Sequence, residues 1–125
     1  MPAPRAILIV DDEFGLAEML RELLREEGYD VSLAINGRLA LDILQERPID
    51  LVLTDMMMPV MDGAELARAM RTSEAHGHIP ILLMTSLPSA SPQEGDLYDE
   101  MIRKPFTPER LLAAITACLD APPRT

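Results

Sequence analysis

The sequence predicts a doubly wound α/β domain built on a five-stranded parallel sheet. Five short aliphatic runs alternate with segments whose apolar residues recur at helical spacing. The first run, Ala6–Val10, is apolar without interruption, as in a strand that is covered on both faces. Strands that alternate with helices pair in parallel through right-handed crossovers, which leaves helices on both faces of the sheet.

The first half of the chain contains two strand–helix units. After the strand Ala6–Val10, helical spacing predicts a helix over Phe14–Glu27, and Gly28 provides its stop. A short strand near Tyr29–Ala34 and a helix over about Gly37–Glu46 follow. The apolar faces of these helices are predicted to comprise Leu16, Met19, Leu20, Leu23, Leu24, Leu39, Ile43 and Leu44.

The third unit begins with a strand at Ile49–Thr54. A turn at Pro59–Gly63 separates this strand from a helix, and a polar loop with His76 and His78 leads to the strand Ile79–Thr85. Neither histidine has a partner at zinc-ligand spacing, so both are predicted to be exposed loop residues. The apolar face of the third helix is predicted to include Leu66, Ala67 and Met70.

The last unit is a short strand at Met101–Arg103 followed by a helix. Thr107 is placed to cap this helix and Pro108 occupies its first turn. Between the fourth and fifth strands, Leu87–Tyr98 contains two prolines, serines and a glycine where a helix is due, so that helix is expected to be short or irregular. The apolar face of the last helix is predicted to be Leu111, Leu112, Ile115, Cys118 and Leu119.

Composition and charge restrict the function. A chain of 125 residues suits one domain, which we expect to span residues 1–125 with a core from about 5 to 120. The net charge of −10 argues against direct nucleic-acid binding, because phosphate backbones repel carboxylates. Cys118 is the only cysteine, so no intramolecular disulfide forms, and no apolar run is long enough to span a membrane. We therefore expect a cytoplasmic protein.

Polar residues follow successive strands of the predicted sheet. Asp11 and Asp12 come directly after the first strand, and Asp55 comes after the third. Thr85 lies at the end of the fourth strand, and Lys104 follows the fifth. Because the carboxyl ends of parallel strands meet at one edge, where α/β sheets bind ligands, these side chains are predicted to converge.

Three convergent carboxylates repel one another unless a cation lies among them. Magnesium prefers oxygen ligands, and it binds one or two carboxylates together with a phosphate. An aspartate can accept a phosphoryl group, while lysine and metal neutralise the transferred charge. Taken alone, Asp11 and Asp12 could be a capped turn and Lys104 a solvated lysine. Their joint position after successive strands favours a phosphoryl-transfer site.

Four motifs resemble the receiver domain of two-component response regulators, a CheY-like family, from one end of the chain to the other. They are ILIVDDE at Ile7–Glu13, LVLTDMMMPVMDG at Leu51–Gly63, LLMTS at Leu82–Ser86 and RKPF at Arg103–Phe106. The resemblance implies a flavodoxin-like sheet of order 2-1-3-4-5. It also implies a stand-alone receiver that signals by phosphorylation.

The resemblance assigns a role to each residue of the metal site. Asp55 is the implied phospho-acceptor, and Asp11 and Asp12 are the acidic pair that holds Mg²⁺, with Asp12 the more direct ligand. Asp55 is itself a ligand, and Met57 contributes its backbone carbonyl. The apolar side chains of Met57 and Leu87 are expected to shield the aspartyl-phosphate from water and prolong its life.

The remaining roles concern the switch. Thr85 is expected to hydrogen-bond the phosphoryl group, Lys104 to pair with it, and the Lys104–Pro105 peptide to be cis. The family usually has Tyr or Phe three positions before this lysine, where the chain has Met101. In the family, this aromatic side chain changes rotamer together with the threonine. The resemblance therefore does not predict such an aromatic switch here, and Tyr98 lies too early in the sequence, in the preceding loop, to replace the aromatic residue.

The resemblance implies a sensor histidine kinase or a histidine phosphotransfer protein as donor, and an unidentified downstream protein as target. The chain would be a switch that assists its own phosphorylation and dephosphorylation, not an enzyme. An aspartyl phosphatase is disfavoured, because Met57 stands where those enzymes carry a general acid. A receiver-fold adaptor that works without phosphorylation is the alternative. The proline-rich end is compatible with a tail or with a linker to a further domain.

Overall fold

The sheet has five parallel strands. The computed structural model of the protein describes residues 3–86 and 97–122. Its strand order is β2-β1-β3-β4-β5, as the resemblance implied, and all four neighbouring pairs are parallel. The strands are β1 Ala6–Val10, β2 Asp30–Ala34, β3 Leu51–Asp55, β4 Ile81–Thr85 and β5 Glu100–Arg103.

Four helices cover the sheet in the described residues, and three begin at a side-chain cap. Asn36 accepts a hydrogen bond from the backbone N–H of Leu39, and Thr107 accepts one from Arg110. Asp62 and Glu65 form a capping box, in which each side chain accepts from the other's backbone N–H. The helices are α1 Phe14–Glu26, α2 Gly37–Glu46, α3 Gly63–Arg71 and α4 Pro108–Asp120.

The core consists of two apolar layers, one on each face of the sheet. Helices α1 and α4 pack on one face against strand residues such as Ile9 and Leu53. Helices α2 and α3 pack on the other face against Val10 and Leu83. Neighbouring strand residues point to opposite faces, and both faces are apolar in the central strands. The doubly wound α/β prediction is confirmed.

Some predicted details differ. Met19 and Leu39, assigned to the core, are 63% and 41% exposed. Smaller neighbours on the same helices, Ala17 and Ala40, fill the buried positions and let each helix approach the sheet closely. Strand β3 starts two residues later than predicted, at Leu51, and includes Asp55 as its last residue.

The two loop histidines also differ from each other. His78 is exposed, as predicted. His76 is half-buried, and its Nε2 lies 3.0 Å from the carbonyl oxygen of Leu44 near the end of α2, so the prediction for this residue was wrong. The irregular helix predicted between β4 and β5 falls largely on residues 87–96, outside the described residues. None of the described helices has the length and apolarity of a membrane span.

Candidate functional site

The predicted site residues meet at the carboxyl-terminal edge of the sheet. One carboxylate oxygen each from Asp11, Asp12 and Asp55 lies within 4.8 Å of the others. Asp11 is buried, Asp55 is half-buried and Asp12 is exposed. Thr85 is buried at the end of β4. The sheet order explains this convergence, since β1, β3 and β4 are consecutive neighbours.

Lys104 connects two of the carboxylates. Its Nζ lies 3.2 Å from Oδ1 of Asp55 and 3.6 Å from Oδ2 of Asp11. The backbone N–H of Lys104 donates to the carbonyl oxygen of Thr85 at 2.8 Å, which extends the β4–β5 pairing to this residue. The Lys104–Pro105 peptide is cis, as the resemblance implied.

The pKa values of the central ion pair reflect burial and mutual attraction. Burial raises the pKa of Asp55 above its ordinary value; Lys104 opposes this change, and the neighbouring Asp11 reinforces it. Burial by itself would lower the pKa of Lys104, but the negative charges of Asp11 and Asp55, together with the close contact to Asp55, outweigh burial and raise it. Lys104 is therefore held in its charged form, and Asp55 carries a charge at some cost.

Asp11 indicates that the site fits a cation. Asp11 is 1% exposed, and its Oδ1 accepts a hydrogen bond from the backbone N–H of Glu13 at 2.9 Å. Its buried Oδ2 accepts no hydrogen bond from the described residues and has only the more distant Nζ of Lys104 as a charge partner. A buried carboxylate oxygen without a donor is costly. A hard divalent ion with oxygen ligands would satisfy it, and the three aspartates supply suitable ligands.

The loop after β3 turns sharply beside the site. The backbone N–H of Gly63 donates to the carbonyl oxygen of Met56 at 2.9 Å, and a Cβ at Gly63 would collide with the carbonyl oxygen of Asp55. Val60 has a φ of 71°, a conformation that a β-branched residue rarely adopts, while Met61 N–H bonds to the Pro59 carbonyl at 2.8 Å. Gly63 is thus needed for a close approach, and Val60 carries strain.

Met57 lies on this loop with a side chain that is 68% exposed. The resemblance implied that its backbone carbonyl would be a Mg²⁺ ligand. Two successive carbonyls just before it, of Asp55 and Met56, are held by hydrogen bonds from Thr54 Oγ1 and from the Gly63 N–H. The path of the chain to Met57 is therefore constrained on its N-terminal side.

Thr54 is a residue near the site that the sequence patterns did not single out. This residue is fully buried in β3, and its Oγ1 donates to the backbone carbonyl oxygen of Asp55 at 2.9 Å. The available signal was a lone hydroxyl in the aliphatic run LVLT, directly before the predicted acceptor. A threonine is nevertheless common in strands, so its position alone does not assign it to a site.

Met101 occupies the position of the family's usual aromatic residue. It pairs with Leu83 in the sheet and packs, half-buried, against the core layer of α2 and α3. Tyr98 is buried in the same layer, but the neighbouring Asp99 N–H bonds to the carbonyl of Ile81 at the start of β4. Thr85 lies four positions further along the strand than Ile81, a distance of roughly 13 Å. Tyr98 therefore lies at the opposite end of β4 from Thr85, too far away to change its rotamer in response to Thr85.

An apolar groove of about 740 Å³ opens next to Lys104. Helix α1 contributes one wall, including the exposed Met19, and the segment around Phe106 contributes the other. A groove of this kind at the edge of a charged site is suited to contact with another protein.

Solved structures with this fold are numerous. The chemotaxis response regulator CheY4 of Vibrio cholerae is 34% identical with a TM-score of 0.87, covering 93% of this chain and 99% of that one. A putative response regulator from Chloroflexus aurantiacus is 30% identical with a TM-score of 0.88, covering 94% and 99%. The receiver domain of the sensor histidine kinase PA1611 from Pseudomonas aeruginosa, 25% identical with a TM-score of 0.86 over 95% and 100%, has a magnesium ion coordinated in its active-site cleft.

Sequence relatives agree with the structural ones. The response regulator MprA of Mycolicibacterium vanbaalenii is 40% identical over 119 residues, which are 93% of this chain and 51% of that protein. The DNA-binding response regulator MtrA of Mycobacterium tuberculosis is 39% identical over 116 residues, which are 90% and 50%. The chain thus spans about half the length of these relatives. Residues 7–116 match the response regulator receiver domain, and the chain belongs to that family.

Proposed function

We propose that the chain is a phosphorylation switch of a two-component or phosphorelay pathway, with Asp55 as the phospho-acceptor. The observation that carries the proposal is the position of Asp55, whose Oδ1 lies 3.2 Å from Lys104 Nζ within a cluster of three aspartates. The Asp55 carboxylate lies next to the positive charge of Lys104 and belongs to an aspartate cluster that could bind a cation. Such surroundings suit the transfer of a doubly charged group to this carboxylate.

Asp11, Asp12 and Asp55, with the backbone carbonyl of Met57, would hold Mg²⁺. When bound, the ion supplies positive charge that lets a phosphoryl group approach three carboxylates. The buried Oδ2 of Asp11, without a hydrogen-bond donor among the described residues, supports a cation here. The magnesium-containing receiver of Pseudomonas aeruginosa supports the same assignment by similarity.

In the transfer step a carboxylate oxygen of Asp55 attacks the phosphorus of a phosphohistidine. The O–P bond forms as the N–P bond breaks, and the donor imidazole leaves with the electron pair and then takes up a proton. Lys104 neutralises charge on the phosphoryl oxygens, and the hydroxyl of Thr85 donates a hydrogen bond to them. Because the acceptor is the protein's own side chain, the chain acts as a switch that assists its own modification and not as an enzyme.

The donor is a sensor histidine kinase or a histidine phosphotransfer protein, and the apolar groove beside Lys104 supports contact with it. The signal then passes to a downstream protein through the surface of the domain. The net charge of −10 favours basic protein surfaces over direct contact with nucleic acid, and a cytoplasmic location fits such a donor.

A receiver-fold adaptor that works without phosphorylation is the second candidate. The observation that favours it is Met101 at the position of the usual aromatic residue. Without an aromatic side chain there, the usual coupling between Thr85 and that residue would be altered. The intact cluster of Asp11, Asp55 and Lys104 argues for phosphorylation instead, since an adaptor has no need of a buried carboxylate oxygen without a hydrogen bond.

The test is incubation with acetyl phosphate, with and without Mg²⁺, followed by intact mass spectrometry. We expect one phosphoryl adduct on the wild type in Mg²⁺, none after Mg²⁺ is chelated and none on Asp55→Asn. Glu22→Gln, an exposed change on α1, is the matched control and should label like the wild type. A folded wild type that is labelled neither by acetyl phosphate nor by a phosphorylated histidine kinase would overturn the proposal in favour of the adaptor.

A further inference from the structure

Thr54 is a buried polar residue whose neighbour in the chain is the proposed acceptor. Among the described residues, the buried polar or charged ones are Asp11, Thr54 and Thr85. The other two belong to the proposed site, whereas no role has been assigned to Thr54. A buried hydroxyl costs free energy unless it is hydrogen-bonded, and this one donates to the carbonyl oxygen of Asp55 at 2.9 Å.

The sheet leaves this carbonyl at the end of a ladder. The parallel pairing of β1 with β3 ends at Val10 opposite Thr54, so Asp55 lies one residue beyond it. A valine at position 54 would fit the strand and its apolar surroundings, but it would leave the Asp55 carbonyl without this bond. The hydroxyl therefore supplies a hydrogen bond at the point where β1 no longer pairs with β3.

The bond is the first of two that fix the start of the loop. Thr54 holds the carbonyl of Asp55, and the N–H of Gly63 holds the carbonyl of Met56 at 2.9 Å. Gly63 also packs directly against the Asp55 carbonyl, because no Cβ intervenes. With two successive peptide planes oriented in this way, the direction of the third carbonyl, that of Met57, is restricted.

We propose that Thr54 is a positioning residue for the metal and phosphoryl site. Through its bond to the Asp55 carbonyl, Thr54 sets the direction of the Asp55 carboxylate and of the Met57 carbonyl. This inference rests on the proposed function, in which both groups are Mg²⁺ ligands. Removing a group that hydrogen-bonds to a metal-binding residue typically weakens binding of the metal strongly.

The test compares two substitutions that separate the hydroxyl from the methyl group. Thr54→Val removes the hydroxyl and keeps the branched shape, whereas Thr54→Ser keeps the hydroxyl and leaves a methyl-sized cavity. By isothermal titration calorimetry, we expect Mg²⁺ to bind about tenfold more weakly to Thr54→Val and with wild-type affinity to Thr54→Ser. Thr54→Ser should nevertheless melt at a lower temperature than the wild type, so that affinity and stability separate.

A second readout uses the protein without metal. The amide hydrogen of Gly63, which bonds to the Met56 carbonyl, should exchange with solvent faster in Thr54→Val than in the wild type, and at the wild-type rate in Thr54→Ser. If Thr54→Val fails to fold, Thr54→Ala and Thr54→Ser differ only in the hydroxyl and take its place in the comparison.

The proposal is overturned if Thr54→Val matches the wild type in Mg²⁺ affinity and exchange, or if Thr54→Ser loses as much affinity as Thr54→Val. Labelling with acetyl phosphate distinguishes failure of the proposed function. A wild type that binds Mg²⁺ but takes no phosphoryl group would refute the phosphorylation switch, while the affinities would still decide whether Thr54 positions the metal ligands. A wild type that binds no Mg²⁺ overturns this inference.

Discussion

The two ends of the sheet treat their buried charges differently. At the amino-terminal end, Arg71 donates to the carbonyl oxygens of Leu97, Gly77 and Ile79 at 2.7–3.1 Å. It also forms an ion pair with Asp99 at 2.8 Å, and both side chains are largely buried. This charge network is satisfied by the protein itself, so it serves to join α3, the following loop and the approach to β5.

At the carboxyl-terminal end, by contrast, the charges are incompletely satisfied. Oδ2 of Asp11 is buried and accepts no hydrogen bond from the part of the chain that the structure describes. Burial raises the pKa of Asp55, and Val60 holds a strained backbone conformation nearby. Buried polar groups are normally satisfied, and exceptions are concentrated at functional sites. The charges at the amino-terminal end are thus neutralised within the fold, whereas those at the carboxyl-terminal end are only partly neutralised by the described residues.

The largest effect is expected from breaking the satisfied end. Arg71→Met removes the charge and the hydrogen bonds of Arg71 and leaves Asp99 buried without its ion pair, which should lower the free energy of unfolding by about 3 kcal/mol. Chemical denaturation measures this loss. Arg38→Met, which removes the exposed ion pair with Asp42, should cost only about 0.3 kcal/mol. Equal losses in the two variants would contradict the structural role of the Arg71 network.

The second prediction concerns the exposed rim of the site. Met57→Asn replaces an exposed apolar side chain, two positions after the proposed acceptor, with one that can orient water. Release of phosphate from the modified protein should therefore be about tenfold faster, which corresponds to a barrier that is lower by about 1.4 kcal/mol. The measurement follows loss of the adduct by intact mass. Met19→Asn, which changes an exposed methionine on α1, is the control and should release phosphate at the wild-type rate. Equal release from Met57→Asn and wild type would refute shielding by Met57.

Relief of the strained turn should be smaller and stabilising. Val60→Gly permits the φ of 71° without steric cost and removes an exposed apolar side chain, so the free energy of unfolding should rise by about 1 kcal/mol. Thermal unfolding should shift upward by about 4 °C. An unchanged or lower melting temperature would show that Val60 is held without strain.

The smallest effect is expected from the acceptor in the metal-free protein. Because the folded-state pKa of Asp55 is raised, its protonated form favours folding below about pH 4, and that contribution is lost as the pH rises through the folded-state value. Ionised Asp55 therefore opposes folding at pH 7, and Asp55→Asn should melt a few degrees higher, by about 2–4 °C.

Two controls sharpen this last comparison. The advantage of Asp55→Asn should shrink as the pH is lowered toward 4, and Mg²⁺ should raise the melting temperature of the wild type more than that of the variant. A variant that is less stable than the metal-free wild type at pH 7 would mean that the ion pair of Asp55 with Lys104 outweighs the cost of burial.

Local sequence patterns were enough to predict the alternation of strands and helices, the family and the members of the acidic cluster. Continuous aliphatic runs such as Ala6–Val10 and helical spacing are local patterns, and the order of strands follows from the rules of parallel connection together with the family resemblance. The convergence of Asp11, Asp55 and Lys104 then follows from topology, because each of them lies at the carboxyl end of a strand.

Which individual side chains are buried, and which groups they contact, depends on tertiary packing. The exposure of Met19, the burial of Tyr98 and the contact of His76 with Leu44 depend on how neighbouring elements meet. The bond from Thr54 to the Asp55 carbonyl depends on where β1 stops pairing with β3. Local patterns specify what kind of element a segment forms, but hydrogen-bond partners and burial are fixed by packing between segments far apart in the chain.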